Sequence, residues 1–154
     1  TALHRSSDDQ GSRDGMDLAL CVYDRKNGVL EYAGAFNPLY LVRDNKLHET
    51  KADKIPVGSP ENLDKEFHTH RLELQENDMI YIFSDGYVDQ FGGKSGRKFM
   101  YKPFREMLVS ISQLTHEEQH EKIERTMENW RLTEKGFEEQ VDDMLIIGVR
   151  HKSV

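Results

Sequence analysis

Two apolar segments of this chain end or begin on carboxylates. Asp85 follows the run in MIYIFSDG, and Asp142 and Asp143 open DDMLIIGV. If the two runs are neighbouring antiparallel strands, these carboxylates meet on one rim of a sheet. Two carboxylates about 5 Å apart repel by roughly 3 kcal/mol at an effective dielectric of about 20, a cost that a hard divalent cation removes. Asp also ends strands and opens turns without binding anything, so an ordinary turn role stands beside the metal-binding one. Both runs are continuous in polarity rather than alternating, which predicts buried strands that reach solvent only at the rim.

Other spacings suggest chemistry and lead elsewhere. His116, Glu117 and His120 fit the HExxH spacing of zinc proteases. The match falls in the first turn of a helix with strongly charged flanks and no further ligand at a familiar spacing. A solvated helix face, with Glu117 and Glu118 complementing the N-terminal dipole, accounts for it. Gly93-Lys94-Ser95 resembles the end of a phosphate-binding loop, but Val88 stands where that motif needs glycine, so a loop after a short helix is expected. His68 and His70 alternate along a predicted strand and would share a face; a structural role is expected of them. Phe83 stands where an aspartyl-nucleophile phosphatase needs its attacking Asp, which excludes that class. Asp89, Tyr87 and Gln90 lie beside the rim, where the start of a helix explains them equally well.

The elements that must position the rim can be read from periodicity and turn chemistry. Residues 1–14 are polar and turn-rich, and residues 16–23 are already a buried-type strand, as if cut from something longer. Asn27-Gly28 predicts a two-residue hairpin into VLEYAG. After Asn37-Pro38 come LYLVR, a turn at Asp44-Asn45 and a short strand, which together read as a β-meander. EFHTHRLEL alternates as another strand, and residues 75–78 turn it into MIYIFS, so about six strands precede Asp85. Phe104, Met107, Leu108 and Ile111 then recur at helical spacing. Thr115 with Glu118 forms a capping box for a second helix, whose inner face carries Ile123, Met127 and Trp130. A loop around Gly136 returns the chain to a final strand over 144–149, after which residues 151–154 fray. Strands first, helices later and a last strand rejoining the sheet indicate the α+β class.

Composition narrows the function. The 154 residues suit one domain, and a net charge of −7 with scattered Lys and Arg argues against a nucleic-acid surface. The single cysteine, Cys21, allows no internal disulfide and reads as a core residue in a reduced compartment. No uninterrupted apolar run approaches the roughly 20 residues needed to span a bilayer, so this segment is expected to make no membrane contact and to be cytoplasmic.

Taken together, SDGYVDQFGG and QVDDMLIIGV resemble the metal-dependent Ser/Thr phosphatases related to type 2C protein phosphatases, in the bacterial SpoIIE branch. RDGMDLALCVYD, LEYAGAFNPLYLVR, the Pro56 to Gly58 turn, and Gln119 and Trp130 ahead of QVDD fall in the order that this branch presents. The resemblance implies a type 2C-like β-sandwich flanked by helices, incomplete here. Residues 15–150 would be the C-terminal portion of the domain, 1–14 a polar linker or truncated edge, and 151–154 a tail. It implies that Asp85 and Asp142 bind metal, that Asp143 orients a ligand or water, and that Gly86 permits close backbone approach. Two Mn²⁺ or Mg²⁺ ions would bind phosphate oxygens and lower the pKa of a bridging water, which attacks phosphoserine or phosphothreonine in line.

The family's centre also needs an Asp that bridges the two metals, followed by a glycine carbonyl, and nothing here matches that motif. Asp14-Gly15 precedes an ordinary strand and is not assigned to it. The fragment alone is therefore expected to bind metal weakly and to turn over little. A catalytically silent pseudophosphatase that binds phosphoproteins is the alternative, and a stand-alone α+β interaction module is another. Members of the branch often act on phosphorylated anti-sigma-factor antagonists and are joined to sensory or membrane segments. A phosphorylated signalling protein is thus the implied partner.

Overall fold

The structure, a computed structural model, describes residues 15–58, 65–134 and 136–153; the polar stretch 1–14, Asp14 included, and Val154 lie outside them. Six strands precede the first helical turn: β1 (Leu18–Asp24), β2 (Val29–Ala35), β3 (Leu39–Arg43), β4 (Lys46–Thr50), β5 (His70–Glu73) and β6 (Met79–Phe83). They do not form one meander. β1-β2-β5 make a three-stranded sheet, while β3, β4 and β6 join the last strand, β11 (Ile146–Arg150), in the order β11-β6-β3-β4. Pairing is antiparallel throughout both sheets. The physical reason lies in β3, whose first four residues are buried in succession on both faces. A meander with one wet face cannot bury such a strand; two stacked layers can.

The inner layer of the sandwich packs Leu30 and Tyr32 of β2 against Leu39, Leu41 and Ile80 of the larger sheet. On that sheet's other face lie α2 (Tyr101–Ile111) and α3 (His116–Arg131), with Phe104, Met107, Leu108, Ile111 and Met127 packed on Tyr40, Val42, Met79, Tyr81 and Phe83. Phe104 is fully buried at the centre, its ring 4.9 Å from Phe83 and 5.2 Å from Tyr87. The buried residues of α2 are Phe104, Met107, Leu108 and Ile111, the four that share a helical face in the sequence. The α3 capping box is formed: Glu118 N–H donates to Thr115 Oγ1 at 3.2 Å, and Thr115 N–H to Glu118 Oε2 at 2.9 Å. Ile123, Met127 and Trp130 face the core.

Two local expectations change. The two-residue hairpin stands at Asp44-Asn45, where both residues have positive φ (49° and 58°) between paired Arg43 and Lys46. At Asn27-Gly28, paired Asp24 and Val29 instead enclose a four-residue turn in which only Gly28 has positive φ. The Asp24 carboxylate accepts from Asn27 N–H at 3.1 Å and from Asn27 Nδ2 at 2.6 Å, which stabilises that wider turn. β5 begins only at His70, so His68 is not on the strand and the two imidazoles do not share its face.

Burial also departs from the continuous-run reading. β6 is buried, but β11 is an edge strand, pairing with β6 alone among the described residues, and Ile147 and Val149 are 42% and 38% exposed. β1 is likewise an edge strand with Leu20 and Val22 outward. Clefts flank β11 on both faces. One of 480 Å³ lies toward α3 and is lined by Tyr81, Ile123, Met144 and Ile146; one of 210 Å³ lies between the sheets and is lined by Cys21, Tyr23, Ile80 and Ile147. His151, in the segment expected to fray, is buried and shares a 2.7 Å hydrogen bond with the Tyr23 hydroxyl.

Asp53 ties the lead into β5 to the end of β2. Its backbone bonds Gly34 O and Phe36 N–H at 2.9 Å each, and its carboxylate accepts from His68 N–H at 2.8 Å and pairs with His68 Nδ1 at 2.7 Å. These bonds, the backbone one foremost, hold the Asp53 carboxyl below its ordinary pKa. A depressed carboxyl stabilises the fold above the unfolded-state pKa, and that contribution disappears as pH falls through the folded one. The melting-temperature gap between the natural protein and Asp53→Asn is therefore expected to be full at neutral pH and to close as pH drops below about 4. Phe104→Ala should cost about 3–5 kcal/mol, measured by denaturant unfolding, because it empties the centre of the helix-covered core.

Candidate metal site at a sheet rim

The antiparallel pairing of β6 with β11 sets Phe83 opposite Ile146, so the chain leaving β6 and the chain entering β11 emerge side by side. Ser84 continues the ladder one step beyond the strands, donating its N–H to Leu145 O at 3.0 Å. Its hydroxyl then makes two further links, donating to Asp143 O at 2.8 Å and accepting from Leu145 N–H at 2.9 Å. The next two residues are Asp85, which caps the short helix α1 (Gly86–Asp89), and Gly86, which sits directly on the Asp142–Asp143 backbone. A Cβ on Gly86 would stand 2.9 Å from the Asp143 carbonyl carbon and 3.2 Å from Asp142 O, so only glycine lets the two segments meet this closely. The Asp85 and Asp142–Asp143 backbones, 57 positions apart from Asp85 to Asp142 (142 − 85), are thus brought to one rim.

The carboxylates are left available. An N-cap Asp ordinarily accepts from the first turn of its helix, yet Asp85 makes no side-chain cap bond and is exposed. Asp142 Oδ1 accepts from Asp143 N–H at 2.7 Å, which orients that carboxylate. No ion pair among the described residues engages Asp85, Asp142 or Asp143. Asp17, just ahead of β1, belongs to the same neighbourhood: partial burial raises its carboxyl, and the negative charge of Asp85 raises it further. Asp89 is the exception, bound by Lys98 Nζ at 2.8 Å. An oxygen-only set with uncompensated negative charge fits a hard divalent cation. Among the described residues, however, no group of three or more His, Cys, Asp or Glu is arranged to hold a metal ion, so Asp85 and Asp142 do not form a complete site by themselves.

Two contributors were not assigned a role from the sequence. Asp17 has no distinguishing local signal, since its partner lies on another sheet. Gln90 is wholly buried and pins the returning segment from below: its side-chain amide donates to Glu139 O at 2.8 Å and accepts from Val141 N–H at 3.1 Å, while its own carbonyl accepts from Trp130 Nε1 at 3.0 Å. The remaining motifs are structural. Gln119, inside the HExxH match, is buried, accepting from the Tyr81 hydroxyl at 2.7 Å and donating to Leu114 O at 3.0 Å. Gly93, Lys94 and Ser95 fall in the turn joining the two-residue strands β7 (Phe91–Gly92) and β8 (Arg97–Lys98), a second such pair, β9 (Leu132–Thr133) and β10 (Gly136–Phe137), follows α3, and His70 stacks on Tyr32 at 5.9 Å.

The geometry predicts that Ser84→Ala costs about 1 kcal/mol, because two hydroxyl hydrogen bonds are lost at an exposed rim where water replaces them, and that Gly86→Ala costs more by forcing backbone apart. Chemical denaturation of the two variants checks both.

A family model described as Stage II sporulation protein E (SpoIIE) matches residues 1–152. No curated protein matches the sequence. Among solved structures, the SiaA-PP2C domain of Pseudomonas aeruginosa superposes with a TM-score of 0.77 at 28% identity, over 87% of this chain and 51% of that one. The Mn-presoaked phosphatase domain of SpoIIE from Bacillus subtilis gives 0.63 at 14%, over 88% and 56%. The Mycobacterium tuberculosis serine/threonine phosphatase PstP/Ppp gives 0.58 at 14%, over 91% and 61%. The chain thus shares their fold and spans about half the length of the first of these domains.

Proposed function

The chain belongs to the stage II sporulation protein E family, and from that premise we propose that residues 15–150 are the C-terminal portion of a metal-dependent phosphatase domain acting on phosphoserine and phosphothreonine. The observation that carries this reading is the seating of Asp85–Gly86 on Asp142–Asp143, whose carboxylates pair with no cationic side chain among the described residues. Asp85 and Asp142 would hold the ion. When bound, Mn²⁺ or Mg²⁺ supplies a Lewis acid for phosphate oxygens and an acidified water as nucleophile, two ions serving in the complete domain.

The chain's own residues do the positioning. Ser84 locks the rim strands in register, and Gly86 removes the side chain that would hold them apart. Asp143 N–H fixes one oxygen of Asp142, leaving the other for a ligand. Gln90 keeps the segment leading to Asp142 from swinging away. No side-chain nucleophile is required. The substrate is a phosphorylated signalling protein in the cytoplasm, an anti-sigma-factor antagonist being the type such a domain would serve. A catalytically silent pseudophosphatase that binds phosphoproteins without turning them over is the alternative, and the residue at the family's metal-bridging position decides between the two.

Two measurements check the reading. In calorimetry of the full-length protein, Asp85→Asn and Asp142→Asn should each weaken Mn²⁺ binding by at least about tenfold; unchanged affinity in both would return the rim to an ordinary surface. The 154-residue chain alone should hydrolyse little or no para-nitrophenyl phosphate with Mn²⁺, and robust turnover would show that it needs no further bridging ligand.

A further inference from the structure

Beside the rim, residues 98–101 run along α1. Lys98 Nζ binds Asp89, Phe99 N–H donates to Gln90 O at 3.0 Å, and Met100 N–H donates to Val88 O at 2.8 Å. Phe99 turns inward, packing edge-on against Tyr87 and Trp130 at 5.3 Å each. Met100 then takes φ 76° and ψ 157°, a conformation that belongs almost entirely to glycine. Its side chain is 54% exposed and that of Tyr101 is 38% exposed. A strained backbone therefore presents two large apolar side chains to solvent next to the acidic rim.

The exposed ring is not loose. The Arg105 guanidinium stands 5.8 Å from the Tyr101 ring centre and 5.4 Å from that of Tyr40. Arg105 is itself fixed, donating from Nε to the Tyr40 hydroxyl at 2.9 Å and pairing with Glu49 at 3.0 Å. Tyr101 is thus backed by a cation that its surroundings already hold. Its hydroxyl also lies within the electrostatic reach of Asp85 and Asp89, on the side of the candidate site.

We propose that Met100 and Tyr101 form a preorganised apolar shelf that receives an apolar side chain adjacent to the phosphorylated serine or threonine of the protein substrate. An exposed aromatic and a polarisable thioether, held rigid, are suited to an apolar neighbour rather than a charged one. The proposal rests on the phosphatase reading above and adds to it a determinant of substrate sequence.

The test uses the full-length protein with Mn²⁺, para-nitrophenyl phosphate, and two phosphoserine peptides that differ only in carrying Phe or Gly beside the phosphoserine. The natural protein should prefer the Phe peptide in kcat/KM. Tyr101→Ala and Met100→Ala should each lower kcat/KM on the Phe peptide about tenfold more than on the Gly peptide or on para-nitrophenyl phosphate. Equal losses on all three substrates, or none, would overturn the shelf and leave the phosphatase reading standing. Absence of any Mn²⁺-dependent hydrolysis by the natural protein would remove that reading and the shelf with it. A second readout is independent of turnover: Met100→Gly should melt at a higher temperature than Met100→Ala, since glycine relieves the strained φ. An equal or lower melting temperature would overturn the claim that the shelf is held under strain.

Discussion

The register between β6 and β11 is the constraint on which the candidate site depends. With Phe83 opposite Ile146, Ser84 meets Leu145 and Asp143, and Gly86 meets the peptide between Asp142 and Asp143. A slip of one residue would turn every side chain of β11 to the opposite face and carry Asp142 away from Asp85. Three backbone and hydroxyl hydrogen bonds around Ser84 act against such a slip, and they lie beyond the last regular ladder pair, where a sheet normally frays.

That register is held by what lies behind it. Tyr81 of β6 reaches out of the sheet to Gln119 of α3, and Trp130 at the other end of α3 binds the carbonyl of Gln90 directly after α1. α3 therefore spans the larger sheet as a brace, attached to the strand that ends at the rim and to the segment that follows it. Phe104 fills the space beneath, in contact with Phe83 and Tyr87 on either side of Asp85. The acidic rim is thus mounted on an aromatic part of the core, which supplies rigidity through uncharged side chains.

Much of this was legible in the residues, and the exceptions have physical causes. Continuous apolar runs ending in Asp located the rim, because a strand buried on both faces has only its ends to offer to solvent. The same rule failed for β11, since an apolar run reports what a strand can bury and not which neighbours are present to bury it. Asn27-Gly28 carried the stronger hairpin signal, yet the tight turn formed at Asp44-Asn45: the Asp24 carboxylate bonds Asn27 and favours a wider turn, an interaction outside the dipeptide. The helix faces and the capping box, being purely local, were read as they stand. Gln90, Asp17 and Met100 act through partners distant in sequence or through backbone strain, neither of which leaves a periodic trace.

The free side of β11 has a consequence for the chain as a material. Among the described residues its outer edge has no backbone partner, and it carries isoleucine and valine at the surface between two clefts. Charged side chains, proline or a bulge usually guard such a margin, and in IIGVR only the terminal Arg150 is charged, its guanidinium turned to the carbonyls of Ser112 and Leu114. Any extended segment with apolar residues on alternate positions can dock there as an additional rung. Whether the occupant is another stretch of the same polypeptide or a neighbouring copy then decides between an orderly domain and an aggregate, which makes this seam the site where solubility would be won or lost.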